Sequence, residues 1–145
     1  MRNAFSMLEL VFVIVIIGIL SAIAIPKFNV TRTDAQSVSI QSDITLAISA
    51  IQREIFANDV QPQAVNIQWL YKTAGFSPSR WIIDQQAITL ARDGQVDTAN
   101  SCIRLELDSQ QTLLLHFTPK PNSPLCSKLA SFYQNGTQRF PLFSH

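Results

Sequence analysis

The feature that most constrains this chain is an apolar run near its N-terminus, from Phe5 to Ile25. A single ionisable side chain, Glu9, interrupts the run, and Pro26 follows it directly. A helix of this length reaches about 32 Å at 1.5 Å per residue, which is enough to cross a hydrocarbon core of roughly 30 Å. The sequence therefore predicts a membrane-spanning helix over residues 5–25.

Glu9 is the residue of that predicted helix whose insertion into a bilayer is energetically unfavourable. A charged side chain at the centre of a bilayer costs about 2.5–3.5 kcal/mol on insertion scales, and less near a helix end. A cut between Ala4 and Phe5 would create an amine on Phe5, close to Glu9 in depth, and a neighbouring copy of the chain would present that amine. Such pairing implies assembly, whereas the alternative is that the Glu9 carboxylate reaches the headgroups and pairs with nothing.

The leader MRNA followed by FSMLELVFVIVIIGILSAIAIPKF resembles the class III leader and N-terminal helix of type IV pilins and pseudopilins. The shared features are a short leader with Arg2, Phe5 as first mature residue, Glu9 four residues later, the apolar run, and Pro26 just beyond it. The resemblance implies that a prepilin peptidase cleaves between Ala4 and Phe5 and methylates the new amine of Phe5. Ala4 departs from the family pattern, in which Gly usually precedes the cut.

This resemblance implies an α+β, pilin-like fold, in which a long N-terminal (transmembrane) helix packs on a small antiparallel β-sheet. The chain then divides into a leader peptide (1–4), a transmembrane half of the helix (5–25), an amphipathic half (26–59) and a head domain of loop and sheet (60–145). The location implied is the inner membrane, with a single pass and the head domain in the periplasm, and afterwards a pilus or pseudopilus.

The function implied by the resemblance is structural, as a filament subunit in which Glu9 and Pro26 serve assembly. The implied partners are copies of itself or related pilins, the prepilin peptidase, an inner-membrane platform protein, a motor ATPase and membrane lipids. A type IV pilus, a type II secretion pseudopilus and a DNA-uptake pilus are all compatible with these residues.

Two other interpretations of the N-terminal stretch stay open. One is an ordinary secretory signal cut within the Ser21–Ala24 stretch, although the apolar run is longer than a typical signal core. The other is an uncleaved signal anchor, which would make the chain a membrane-anchored periplasmic binding or enzyme domain that keeps residues 1–4.

The charge pattern gives no indication of a nucleic-acid partner. The chain has 11 basic and 10 acidic side chains, and its formal net charge is +1. Apart from Arg2, the basic residues are scattered from Lys27 to Arg139, whereas a nucleic-acid binder shows a basic cluster. With the N-terminal helix set aside, the remaining length allows one domain of ordinary size.

After Thr33, isoleucines recur at helical spacing. Their positions are Ile40, Ile44, Ile48, Ile51 and Ile55. Steps of three and four place them in one stripe along an amphipathic helix, which we expect to continue the N-terminal helix through Pro26 and to end near residues 57–59. The stripe is expected to pack on the rest of the chain, and the alternative is a stripe covered only in an oligomer.

The C-terminal half changes to the two-residue period of strands. We predict a short helical turn at 66–72, strands at 81–83 and 87–92, and a hairpin formed by 103–108 and 112–118. These strands should form an antiparallel sheet with its inner face on the isoleucine stripe. Trp69, Tyr71 and Phe76 are expected to anchor the intervening loop on this sheet. Regular structure is not expected around the prolines of 119–124, and a last short strand is expected near 129–133.

The two cysteines, Cys102 and Cys126, lie in the portion expected to be exported. An oxidising compartment favours a disulfide between them, which would close a loop of about 25 residues and stabilise the fold by about 3–4 kcal/mol. In pilins and some pseudopilins a C-terminal disulfide bounds the outward-facing variable region. The alternative is a pair of unrelated buried thiols.

The sequence predicts no enzymatic activity, no cofactor and no metal site. A serine–histidine–acid set would have to use His116, which lies in a predicted strand, or His145, the last residue. Neither histidine has metal-ligand spacing with a cysteine. Asp93 and Asp97 alone fall short of the calcium loop found in some major pseudopilins.

Overall fold

The computed structural model describes the backbone of residues 4–143 and the side chains of residues 4–22 and 32–143. In chain order, the helices are α1 (Met7–Ala57), α2 (Ile67–Ala74) and α3 (Pro124–Leu129), with a 3₁₀ turn at Pro62–Ala64. The strands are β1 (Trp81–Asp84), β2 (Ala87–Arg92), β3 (Gln95–Val96), β4 (Ile103–Leu107), β5 (Thr112–Phe117) and β6 (Gly136–Pro141). The chain is therefore an α+β protein.

Helix α1 contains 51 residues and includes position 26. It begins after Ser6, whose hydroxyl oxygen accepts a hydrogen bond from the backbone N–H of Glu9 at 3.2 Å. It ends at Asn58, whose backbone N–H donates to the Glu54 carbonyl and whose side-chain amide donates to the Glu54 carboxylate at 2.7 Å. Both ends are closed by side chains that suit helix caps, and the predicted end near residues 57–59 is confirmed.

The prediction that the N-terminal helix spans a membrane is wrong. Within the part of the chain that the structure describes, no helix combines the length and the apolar character needed to cross a membrane.

The isoleucine stripe of α1 faces the interior of the head domain, as predicted. Ile40, Ile44, Ile51 and Ile55 are buried, and Ile48 is partly buried against the same core. The opposite face of the helix is open, and there Val38, Leu46 and Phe56 are exposed. The alternative of a stripe covered only by another copy is therefore excluded.

The sheet is antiparallel and six-stranded, with the order β1-β2-β4-β5-β6 and with β3 paired to β2. The predicted hairpin is β4–β5, in which Leu105 pairs with Leu115. Asp108 closes it, because its carboxylate accepts hydrogen bonds from the backbone N–H groups of Gln110 at 2.9 Å and Thr112 at 2.8 Å. Side chains alternate along β4, so one face of the sheet joins the core and the other contacts solvent.

The loop between helix and sheet is anchored as predicted by Tyr71 and Phe76. Asn66 caps α2 by accepting from the Trp69 backbone N–H at 2.8 Å. The Tyr71 hydroxyl donates to the Trp81 carbonyl at 2.8 Å, and the ring of Phe76 lies 5.0 Å from that of Trp81. Trp69 is partly buried against the same core, so all three predicted aromatic residues pack inward.

Two predictions for the C-terminal region are wrong. Residues 124–129 form helix α3, because Ser123 accepts from the Cys126 N–H at 3.1 Å and Pro124 occupies the first helical turn, where a missing N–H costs nothing. The last strand is β6 rather than 129–133, since its register with β5 places the pairing at residues 136–141.

The predicted disulfide between Cys102 and Cys126 is confirmed. The two Cα atoms are 6.0 Å apart, and both residues are buried. The bond ties α3 to the residue that precedes β4, so two segments that are distant in sequence are held on one side of the core.

We expect Ile51→Ala to lower the free energy of unfolding by about 2–5 kcal/mol, because this side chain is only 1% exposed and its loss leaves a cavity. The matched control is Leu46→Ala on the same helix, which is 64% exposed and should change stability by less than about 0.5 kcal/mol. Urea unfolding followed by tryptophan fluorescence measures both. Equal losses would contradict the assignment of the buried face.

We expect reduction of the disulfide to lower the free energy of unfolding by about 3–4 kcal/mol, because the unfolded chain then regains the freedom of a loop of about 25 residues. Urea unfolding with and without reductant measures this loss, and alkylation should find no free thiol before reduction. The double variant Cys102→Ala, Cys126→Ala is the control and should not respond to reductant. Two alkylatable thiols in freshly isolated protein would refute the bond.

Candidate assembly surface

The N-terminal part of α1 and the residue before its cap form an apolar surface that nothing in the described chain covers. Phe5 is 79% exposed, and even the least exposed large residue of the run, Ile16, is 40% exposed. The exposed members are Phe5, Met7, Leu8, Leu10, Val11, Phe12, Val13, Ile14, Val15, Ile16, Ile17, Ile19 and Leu20. We call this set the assembly surface.

The assembly surface surrounds the helix rather than following one stripe. Consecutive residues from Val11 to Ile17 are all large and apolar, and consecutive residues of a helix point in directions about 100° apart. A helix that is apolar on all sides is typical of one that is buried on all sides. Contiguous apolar surface of this extent marks a contact site for other apolar groups.

Glu9 lies in the first turn of α1, inside the assembly surface. Its carboxylate is exposed and has neither an ion pair nor a hydrogen bond with any residue that the structure describes. An acidic group in a first turn is favoured by the helix dipole, which stabilises it by about 0.3–1 kcal/mol. This carboxylate is therefore free to pair with a group from outside the described chain.

The expected cleavage site precedes the helix. Ala4 and Phe5 are both exposed and lie outside regular structure, so the peptide bond between them is accessible. Residues 1–3 of the expected leader, including Arg2, lie outside the described residues. Pro26, the other expected assembly residue, belongs to α1, and its side chain also lies outside the described residues.

A second group of polar side chains lies on the outer face of the sheet. Glu106 on β4 contacts Arg104 through one carboxylate oxygen and lies 3.1 Å from His116 Nε2 on β5 through the other. The His116 Nδ1 atom lies 2.7 Å from the Thr137 hydroxyl on β6. Such cross-strand contacts stabilise a sheet, so we interpret this outer-face cluster as a link between β4, β5 and β6.

His116 lies in a strand, as predicted, but the sequence pattern did not indicate this cluster. The signal was present in part, because the alternation of β4 already put Arg104 and Glu106 on the face opposite Leu105. The positions of His116 and Thr137 depend on the registers of β4 with β5 and of β5 with β6, which are long-range properties.

The outer-face cluster controls the ionisation of Glu106. Partial burial raises the pKa of this carboxyl group, but the hydrogen bond from Arg104 and the charges of His116 and Arg104 outweigh burial, so the pKa lies below its ordinary value. Ionised Glu106 is therefore the form that the folded sheet prefers.

The other carboxylates considered for a metal do not form a cage. Asp97 accepts hydrogen bonds from the backbone N–H and the side-chain amide of Asn100, at 3.3 and 2.9 Å. Asp93 lies in the turn between β2 and β3. Among the residues that the structure describes, no group of three or more histidine, cysteine, aspartate or glutamate residues is placed to hold a metal ion.

No protein-family model matches the chain, and comparison with curated proteins and with solved structures found no match. What the chain does is therefore inferred from its own residues.

We expect Glu106→Gln to reduce the loss of stability in acid. Because the pKa of Glu106 is lowered by folding, its contribution is present above the ordinary glutamate pKa and is lost as the pH falls through the folded value. Urea midpoints measured from about pH 7 to about pH 3 should therefore fall less steeply in the variant. Asp93→Asn is the control, and an unchanged slope in Glu106→Gln, or the same change of slope in both variants, would contradict the role of the cluster.

Proposed function

We propose that this chain is a structural subunit of a pilin-like filament, of the type IV pilus or type II secretion pseudopilus kind. Subunits assemble through the N-terminal part of α1 after cleavage between Ala4 and Phe5. The observation that carries the proposal is the assembly surface, which is apolar on all sides and uncovered within the described chain.

The energetics of the assembly surface favour association. Burying one large apolar side chain is worth about 1.5–3 kcal/mol, whereas bringing two molecules together costs about 4–15 kcal/mol in lost freedom. The surface has many such side chains, so covering even part of it, where it would otherwise contact water, outweighs that cost. Because its apolar residues point in all directions, several neighbouring helices are needed to cover it, as in a bundle.

Glu9 gives this bundle a register. Its carboxylate has no partner among the described residues. The amine of Phe5 on an adjacent subunit is a cation that can form an ion pair with it. In a helix bundle the effective dielectric is lower than in water, so the pair is stronger there, and leaving one charge unpaired is costly. A subunit that is displaced along the axis loses the pair.

The head domain fits the role of the part that faces outward. Its disulfide and its outer-face cluster hold the C-terminal segment to the sheet, which suits a domain exposed outside the cytoplasm. The same proposal places the chain at the inner membrane with the head in the periplasm before assembly. It also names the prepilin peptidase, a platform protein and a motor ATPase as partners.

We expect Glu9→Gln to leave cleavage before Phe5 and its methylation intact while reducing the yield of filament by at least about tenfold, because the substitution keeps the shape of the side chain but removes the buried ion pair. Intact mass of the mature protein reads out processing. Sheared or crosslinked filament, compared with processed monomer, reads out assembly. The matched control is Glu54→Gln, which removes a carboxylate near the other end of the same helix and should assemble normally.

Two results would contradict the proposal. Normal filament yield from Glu9→Gln as the sole subunit of its type would show that this carboxylate does not direct assembly. Retention of residues 1–4 by the wild-type chain, in a host that processes other prepilins, would instead favour an uncleaved, membrane-anchored periplasmic domain.

A further inference from the structure

A cavity of about 560 Å³ lies beside α1, which lines it with Arg32, Gln36 and Ile40. Its wall is formed by α1, the turn before β1, the end of β2, the loop after β3, and α3. Ligand pockets in proteins measure about 300–1,000 Å³, so this cavity has the size of a binding site for a small ligand. The assembly surface ends before it and contributes none of its lining.

Three arginines line the cavity, and only one of them, Arg80, has a side-chain partner within the described structure. Arg80 is fixed by Asp43, with Nε 3.0 Å from one carboxylate oxygen and a terminal nitrogen 3.1 Å from the other, yet its side chain stays 47% exposed. Asp43 is itself held by the indole N–H of Trp81 at 2.8 Å. The side chains of Arg32 and Arg92 are exposed and make no ion pair or hydrogen bond within the described structure. The cavity therefore contains cationic donors that are not neutralised by contacts of their own.

The same cavity contains acidic acceptors. Asp97 is oriented by its two hydrogen bonds from Asn100, and Asp93 has no hydrogen bond or ion pair within the described chain. Two carboxylates among the arginines repel a dense polyanion such as nucleic acid or a row of phosphates. They suit a ligand that carries one negative charge together with hydroxyl groups, which donate hydrogen bonds to carboxylates.

One part of the cavity lining, which we call the floor, is apolar. Ile40 of α1, Leu90 of β2 and Leu125 of α3 contribute to it, and all three are buried. A sugar ring presents C–H groups on its face and hydroxyl groups at its edge, so it can contact such a floor while its edge reaches polar groups. Guanidinium groups bind carboxylates in a fork geometry, which adds selectivity for a ligand with a carboxyl group.

We propose that this cavity binds an acidic sugar, a hexuronate unit of an acidic polysaccharide. The sugar carboxylate pairs with Arg32 and Arg92, its hydroxyl groups donate to Asp93 and Asp97, and its C–H face lies on the apolar floor. Arg80, already held by Asp43, borders the site. This binding function does not rest on filament formation, because a single subunit contains the whole site.

The test is calorimetric titration of the purified full-length chain, kept in detergent micelles, with trigalacturonate. Galactotriose, which has the same ring without the carboxylate, is the neutral comparison. We expect saturable binding of trigalacturonate with one site per chain, and at least about tenfold weaker binding of the neutral trisaccharide, because a charge-assisted hydrogen bond is lost.

Variants distinguish the cavity from general electrostatic attraction. Arg32→Gln and Arg92→Gln should each weaken binding of trigalacturonate by about tenfold without changing the thermal midpoint, since neither guanidinium supports the fold through a contact. The matched control is Arg53→Gln, which removes an exposed cation of α1 outside the cavity and should bind as the wild type does.

Several outcomes would overturn the proposal. These are absence of saturable binding, equal weakening by Arg53→Gln, and unchanged binding in both cavity variants. Binding of inorganic phosphate as tight as that of trigalacturonate would show a general anion site instead. Equally tight binding of triglutamate would show that the cavity recognises an acidic peptide.

Discussion

The packing of the isoleucine stripe against the head domain is the interaction on which the other features of this molecule depend. Ile40, Ile44 and Ile51 lie in the same core as the inner face of the sheet, so α1 cannot rotate about its axis without exposing them. Because α1 is one helix from Met7 onward, this packing also fixes the direction in which the assembly surface leaves the head.

Polar contacts beside the stripe complete the attachment of α1. Asp43 holds Arg80 and Trp81 on the side of β1, and Asp34 pairs with Lys128 of α3 at 2.9 Å. Helix α3 is itself tied to β4 by the disulfide at Cys126. Exposed pairs such as Asp34–Lys128 contribute little stability, about 0–1 kcal/mol. Their effect here is to fix where α1 lies against the head domain. The walls of the cavity are these same elements, and its shape depends on how the helix is attached.

The parts of the fold that follow local patterns could be predicted from the sequence, and the parts that follow long-range contacts could not. The spacing of Ile40 to Ile55 predicted the buried face of α1, and the alternation around Leu105 predicted the β4–β5 hairpin. Helix α3 is not predicted by the cluster of prolines around it, because proline breaks a helix interior, whereas Pro124 with Ser123 before it stands in a first turn, where proline is favoured. Strand β6 was missed because it depends on pairing with β5. The apolar run led to a transmembrane prediction that the described residues do not bear out.

The two proposed functions use separate lengths of one helix, and this separation makes them compatible. The assembly surface ends at Leu20, and the first cavity residue of α1 is Arg32, about 18 Å further along the helix at 1.5 Å per residue. Association through the assembly surface therefore leaves the cavity uncovered by those contacts. Each subunit of a filament would then present one copy of the site at a regular spacing. A long acidic polysaccharide that reaches several copies binds with an effective concentration set by that spacing, so a weak single site becomes a strong attachment once the subunits assemble.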